Sequence, residues 1–453
     1  MNSTSMLHDW LLSQKTHISS AIEFKPISSK GNGLVALAPL IPEEIIATIS
    51  SNLFINRTRI LAYANTRPFL HSLFCRLGEE IDEATILIAF LIHERFLRPA
   101  DSDFRAYIDS LPKSFETPVF SGDEMLWKGT SLEQPLRVRK RRLELEYKRI
   151  ESEWRDIIGE ECAFSLEDYW WADTCVWSRA ISFHSRNAQA PEKRNELNEG
   201  ECDDLHLIPF IDMANHSTQP NSRWELRSEG DIKLLDLVVT KLISQDEEIC
   251  ISYGDLCNQK LLFLHGFAVE ENPHKSVAVM APLFEEDPQL PLKMMAMRQL
   301  GLKPIITLEK RDGLDALDAS GWGVMTLCVV GEEDGFILQE DKLFLGGRPL
   351  TVDMDWQNLL SELANGRILE LKIVYLLVEA LEALHQRLAT ADEELEKNVN
   401  RTNEGVSVEF RRCIEIFRKD ERSTVEYLVE SLNKLQQKLI EDEDVQRYLS
   451  EQS

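Results

Sequence analysis

Strand-like sequence falls in two separate blocks of the first 270 residues, and the stretch between them reads as helix. Residues 20–60 hold the short runs "AIEFKPI", "LVALAPL" and "EEIIATIS", punctuated by the glycine-containing turn "SSKGNG". Strand character returns at 205, where "SRWELR", the turn "SEGD" and "IKLLDLVV" predict a hairpin and "EEICISYGD" one more strand. From about 67 to 204 the pattern is helical: "DEATILIAFLIHERF", "RVRKRRLELEYKRIESEWRDII", and "SLEDYWWADTCVWSRAISF" behind a cap-like Ser165, ending in a polar surface loop at 185–204. The expected fold is therefore α+β, one β unit split by a long helical insert. Residues 285–453 form a second, mostly α-helical domain, in which Val425, Leu428, Leu432, Leu435 and Leu439 make one apolar stripe suited to a helical bundle. Part of 320–355 looks like strand but cannot be assigned to elements.

At 453 residues the chain is long enough for two domains. Its longest apolar runs, such as "ATILIAFLI", fall short of the roughly 20 residues a membrane span needs, and the opening "MNSTSMLHDWLLSQKTH" lacks the pattern of a secretory signal. N-x-S/T sites occur at Asn2, Asn56, Asn215 and Asn400; a cytoplasmic or nuclear location is expected, which empties the glycosylation reading of Asn215. None of the eight cysteines sits in a CxxC pair, so neither zinc nor a disulfide framework is expected. A formal charge of -27 argues against nucleic acid, whose binding depends on basic side chains, and suits either a basic protein partner or simple solubility.

Polar islands lie at the ends of the expected strands: "KGNG" (30–33), "DMANHS" (212–217) and "ISYGD" (251–255), with "WSRAISF" (177–183) closing a helix. The stretch "IPFIDMANHSTQPN" (208–221) begins as a buried apolar strand and then breaks into Asp212, Asn215, His216, Ser217, Gln219 and Asn221. Side chains satisfying their own backbone would explain any one of these. Gly31 and Gly33 make a turn or let a ligand lie on the backbone, but no third glycine opens a helix as in a dinucleotide fingerprint. Asp212, His216 and Ser217 are too close in sequence for a catalytic triad, and no G-x-S-x-G elbow is present. Alternation along "EEICISY" turns Ile249, Ile251 and Tyr253 inward together.

Taken in order, the islands resemble the SET-domain protein methyltransferases, in particular the split-SET type that includes the plant Rubisco large-subunit lysine methyltransferase and the fungal ribosomal-protein lysine methyltransferases. "SSKGNGLVALAPLIPEEIIATIS" is similar to the family's opening strand pair and "YIDSLPKSFETPVFSGDEMLWKGTSL" (107–132) to its insert. "LIPFIDMANHS" is similar to its N-H-S loop, and "DEEICISYGDLCNQKLLFLHGF" (246–267) to its closing segment. The resemblance implies S-adenosylmethionine as cofactor, a lysine side chain as acceptor and no metal. It implies that the backbone at Gly31, Asn32, Gly33 and Leu34 cradles the cofactor, that Arg179 meets its carboxylate, and that Asn215 and His216 hold its amino group and adenine. Tyr253 becomes the catalytic tyrosine bordering the cofactor, Ser178 and Asp212 line the lysine side through backbone carbonyls, and His265 and Phe267 belong to the substrate wall. The family threads the segment after Tyr253 beneath a preceding loop, which brings the N-H-S loop beside the tyrosine. His265 stands where relatives commonly have Tyr, which leaves the number of methyls open, and the family's cysteine-rich zinc segment is missing. The C-terminal helical domain resembles the family's only in character, as the part that completes the substrate groove.

Direct methyl transfer needs mainly alignment, an effect on the order of 7–11 kcal/mol. A neutral lysine amine at pH 7 costs roughly 4–5 kcal/mol, less in an apolar channel beside a cation. No Glu or His adjoins Tyr253 in the sequence, so no dedicated base is expected. The reading is a protein-lysine methyltransferase acting on a non-histone, basic substrate such as a ribosomal or translation protein. A histidine-directed methyltransferase, or a SET scaffold that recruits a basic partner without turnover, remains open.

Overall fold

The computed structural model describes residues 3–14, 16–27, 30–78, 81–97, 101–159, 164–183, 204–398 and 406–452. The sequons Asn2 and Asn400, Cys162, Cys202 and most of the 185–204 loop lie outside them.

After a leading helix, α1 (Ser3–Ser13), the first block supplies β1 (His17–Ile18), β2 (Ile22–Ile27), β3 (Gly31–Ala36) and β4 (Ile45–Ser50), which divide between two four-stranded sheets. One sheet runs β1-β4-β9-β8, where β8 (Ser222–Glu229) and β9 (Ile232–Val239) are the expected hairpin, turning at Gly230 and Asp231. The other runs β2-β3-β10-β7, with β10 (Glu248–Ile251) antiparallel to β3 and parallel to β7 (Asn215–His216). A separate short pair joins β5 (Ile181–Ser182) to β6 (Leu205–His206). The two blocks thus interleave in both large sheets. Leu34, Ile49, Leu235, Leu237 and Ile249 are completely buried at these cross-block contacts, each worth about 1.5–3 kcal/mol. Loop closure grows only logarithmically with length, about 0.6 kcal/mol per doubling, so the long insert is tolerated.

The insert carries α2 (Arg57–Ala64), α3 (Pro68–Leu77), α4 (Glu83–Ile92), α5 (Arg105–Ser110), α6 (Glu133–Ile158) and α7 (Leu166–Arg179). Helix starts at Arg57, earlier than the expected residue 67, because Asn56 caps it by accepting from the Arg59 N–H at 2.9 Å. That sequon is a helix cap. Asp82 caps α4, whose "ATILIAFLI" run is buried on nearly every side. Ser165 and Asp168 form a capping box that starts α7.

One expected strand is absent. The apolar run before the polar island is buried, with Ile208 and Ile211 at 0% exposure, but it folds as a turn ending in a 3-10 segment at Ile211–Met213. Phe210 sits at φ +76°, a conformation few bulky residues adopt, so the chain reverses there rather than extends.

Beyond 270 the chain builds a second core. It follows α8 (Asn258–His265), whose Leu262, Phe263 and Leu264 are buried in the first core, and contains the pair β11 (Ser276–Met280) and β12 (Ile305–Glu309), α9 (Leu290–Gln299) and α10 (Ala319–Val329). A three-stranded meander of β13 (Ile337–Gln339), β14 (Lys342–Leu345) and β15 (Arg348–Pro349) resolves the unassigned 320–355 stretch. Then come α11 (Trp356–Glu362), the long antiparallel partners α12 (Gly366–Lys397) and α13 (Val408–Ile440), and α14 (Glu443–Gln452). The stripe of Val425, Leu428, Leu432 and Leu439 is buried in this rear core, whereas Phe410, Ile414 and Phe417 of the same helix are buried in the front one. Among the described residues no helix is long and apolar enough to cross a membrane, no group of His, Cys, Asp and Glu is arranged to hold a metal, and the cysteines are free.

Candidate active site

The parallel pairing of β7 with β10, Asn215 opposite Cys250 and His216 opposite Ile251, lays the polar island beside the strand that ends just before Tyr253. On the other side of β10, β3 brings Gly31 to Leu34. Residues from distant parts of the chain therefore share neighbouring strands.

Gly31 and Gly33 differ in why they are glycine. Gly31 has φ +76° with open space around it, so its demand is conformational. At Gly33 a Cβ would stand 2.5 Å from Ile27 Cδ1 and 2.7 Å from Asn215 Nδ2, so its demand is space. Both belong to strand β3 rather than to the turn that precedes it. Asn32 offers its carbonyl to Asn215 Nδ2 at 3.2 Å, and Leu34 buries its side chain in the core, leaving only backbone to the site.

His216 accepts from the Tyr253 backbone N–H at Nδ1, 3.1 Å, which puts the ring proton on Nε2; that atom is buried without a protein partner. Burial, with a smaller contribution from His274, lowers its pKa to about 4, so the ring is neutral near pH 7. The Tyr253 hydroxyl donates to the Ala214 carbonyl at 3.0 Å, and burial pushes the phenol up to about 12. No histidine neighbours Tyr253 in the sequence, but in space His216 and His265 lie on the tyrosine, with ring centroids at 5.2 and 4.8 Å. Phe267 continues the arc, 6.0 Å from His265 and 6.1 Å from His216. Gly266, at φ +80° and with a would-be Cβ 2.2 Å from the Glu116 carbonyl, holds this turn tight against the insert.

Arg179, the last residue of α7, donates through Nη1 to the Asp212 carbonyl at 2.9 Å, while its Nε is buried without a partner. Burial opposes its charge, but Asp212 and Tyr107 more than offset that and raise its pKa. Burial pushes the Asp212 carboxyl up to about 6 against the pull of Arg179. One carboxylate oxygen accepts from the fully buried Tyr107 hydroxyl and the other, Oδ1, has no protein partner. The Asp212 carbonyl assigned to the lysine side is thus shared with Arg179. Ser178 spends its hydroxyl on the Thr174 carbonyl at 2.6 Å, leaving its backbone as the group it can offer.

The polar island divides into two kinds of residue. Asn221 sews the backbone, donating to the Glu248 carbonyl at 2.8 Å and accepting from the Cys250 N–H at 2.8 Å, and Ser217 Oγ accepts from the Gln219 N–H at 3.0 Å. Local satisfaction is the right account of these. His216 Nε2 and Asp212 Oδ1 instead are buried without protein partners, and Ser217 is bonded to Gln219 rather than into a Ser-His-Asp relay. Residues overlooked in the sequence are Tyr107, distant in the chain from Asp212, and Glu248, one of two adjacent glutamates on an apparently solvated strand end.

The fold and these strands define a class. Residues 31–254 match the SET domain family, so this part of the chain carries a SET domain. Among its relatives, SET domain-containing protein 4 of Mus musculus is 24% identical over 343 residues, covering 72% of this chain and 72% of that one. The [Fructose-bisphosphate aldolase]-lysine N-methyltransferase, chloroplastic, of Arabidopsis thaliana is 25% identical over 346 residues, 73% of this chain and 65% of that one. The fold is that of the SET domain of LSMT, solved bound to lysine and AdoHcy, with TM-score 0.70 over 98% of this chain and 94% of that chain at 19% identity.

Proposed function

We propose that the chain is an S-adenosylmethionine-dependent protein-lysine N-methyltransferase whose substrate is a basic, non-histone protein, ribosomal and translation proteins being the leading class. The observation that supports this most is the strand pairing that sets His216, whose buried Nε2 has no protein partner, against Tyr253 with its anchored hydroxyl, together with the unpartnered buried Nε of Arg179 at the end of α7.

Those leftover atoms fit the cofactor's chemistry. Arg179 Nε suits a carboxylate and the Nε2–H of His216 suits a ring-nitrogen acceptor; Asn215 Oδ1, the end left when Nδ2 donates to Asn32 and Glu248, suits an ammonium. When bound, the cofactor supplies an electrophilic methyl group on a sulfonium. The chain's own residues align and desolvate. Tyr253 directs its proton to the Ala214 carbonyl, so its oxygen lone pairs remain available for weak C–H contacts. The arc of Tyr253, His265 and Phe267 presents ring surface to an incoming amine and lowers its pKa by removing water. His216 is not the base, since its Nδ1 is occupied and burial already disfavours its charged form. The charge of -27 supports attraction to a basic protein.

Incubation with labelled S-adenosylmethionine and fractionated ribosomal and cytosolic proteins, followed by mass spectrometry of the labelled peptide, tests this. Label on lysine of a basic protein is expected. Donor binding in calorimetry with no label in any fraction would return the chain to the scaffold reading, and absence of donor binding would remove the cofactor as well.

A further inference from the structure

Glu248 occupies a position that the methyl-transfer reading leaves unused. Its Oε1 accepts from Asn215 Nδ2 at 2.8 Å and its Oε2 from Lys30 Nζ at 2.6 Å, while the Asn221 amide holds its backbone carbonyl. The other hydrogen of Asn215 Nδ2 goes to the Asn32 carbonyl at 3.2 Å.

Both partners of the Asn215 amide, a carboxylate and a carbonyl, are acceptors only. The NH2 end must face them whichever way the amide is drawn, because reversing it would set Oδ1 against two oxygens. Oδ1 is then the end that is left, and among the described residues no protein donor is recorded for it. An asparagine can ordinarily present either a donor or an acceptor; this one is restricted to accepting. Gly33 makes the arrangement possible. The Cβ it lacks would stand 2.7 Å from Asn215 Nδ2 and 3.2 Å from Glu248 Oε1, so the pair packs directly on the glycine backbone.

We propose that Glu248 is a positioning residue of the donor site. It fixes the Asn215 amide as a dedicated acceptor for a ligand's amino group, and through Lys30 it ties that amide to the start of β3. The inference rests on the cofactor assignment above. A glutamine at 248 would present an amide of its own, which can donate as well as accept, and the orientation of Asn215 would no longer be forced. The Lys30 contact holds the carboxylate still: Lys30 is half exposed and the Glu248 side chain is 16% exposed, so the pair is partly shielded rather than fully solvated.

The test compares two thioether ligands by calorimetry: S-adenosylhomocysteine, and its analogue lacking only the amino group. The wild-type protein is expected to prefer the amino-bearing ligand at least tenfold. Glu248→Gln should cut that preference several-fold while leaving affinity for the deamino analogue unchanged, a ratio that general damage to the fold would not move selectively. If Glu248→Gln does not fold, Lys30→Met should show the same change in smaller degree. Retention of the full preference in Glu248→Gln, or in Lys30→Met where only that variant folds, would overturn the assignment of Glu248 and leave the methyltransferase reading standing. A wild-type protein that binds neither ligand would overturn the cofactor reading itself.

Discussion

The two ends of the proposed site are made of different materials. Where the donor's amino group is placed, Asn215, Glu248, Lys30 and Asn32 are joined by contacts of 2.8, 2.6 and 3.2 Å, each atom having one permitted partner type. Where the amine is placed, Tyr253, His265 and Phe267 meet through ring faces with centroids 4.8 and 6.0 Å apart. A hydrogen-bonded end is specified by direction, so removing one group strands others. A ring-lined end is specified by shape, and shape tolerates exchange of similar volumes. Tyr253 belongs to both, a ring in the arc and a hydroxyl tied to Ala214.

The comparison breaks first at Tyr253. Tyr253→Phe keeps the ring and deletes the polar contact, so methyl release should fall by about 10²–10³-fold, while calorimetry shows donor affinity nearly unchanged. Parallel loss of both would mean that the hydroxyl serves binding rather than reaction. Next, Asn215→Ala should weaken donor binding by about 1.5–3 kcal/mol, with little further change in turnover at saturating donor. At the ring end, His265→Phe should cost less than about 1.5 kcal/mol of stability and leave donor affinity alone; the methyl count on the product peptide, read by mass spectrometry, is where it should register. A tenfold loss of donor affinity there would erase the distinction between the ends.

The smallest effect is expected at a group that belongs to neither end. Glu421 of α13 is buried, accepts from the Ser131 N–H at 3.1 Å, and is pushed up to about 7 by burial against the pull of Ser131 and Arg418. An unfolded carboxyl titrates near 4.3, so the folded state holds the proton more tightly. This contribution to stability is full below that value and is lost as pH rises toward 7. Glu421→Gln preserves an acceptor for Ser131; it should change the melting temperature little at pH 5 and raise it by about 2–4 °C at pH 8. A rise that is the same at both pH values would show that ionisation of Glu421 is not involved.

Much of this was legible before any coordinates. Glycines and small polar residues at strand ends stand out against apolar runs, so β3, the β8–β9 hairpin and the neighbourhood of Asn215 and Tyr253 announce themselves. The misread stretch, 207–211, is buried all round. With no solvent side there is no alternation to separate strand from turn, and only the positive φ of Phe210 distinguishes them. Glu248 was invisible for the opposite reason. A glutamate beside another glutamate reads as solvated surface, and its partners Lys30 and Asn215 come from the turn before β3 and from β7. The Tyr107–Asp212 contact joins residues 105 apart in the chain, a pairing set by how α5 docks and not by local pattern.

The buried face of α13 runs from Phe410, Ile414 and Phe417 in the front core, past the buried polar step of Arg418, Glu421 and Thr424, to Val425, Leu428 and Leu432 in the rear one. One rigid rod is thereby cemented into two buildings. Melting either core strips anchoring surface from the other, so the halves are coupled in cooperative unfolding, and a cut ahead of the rod would deprive the catalytic half of aromatic packing it does not encode itself.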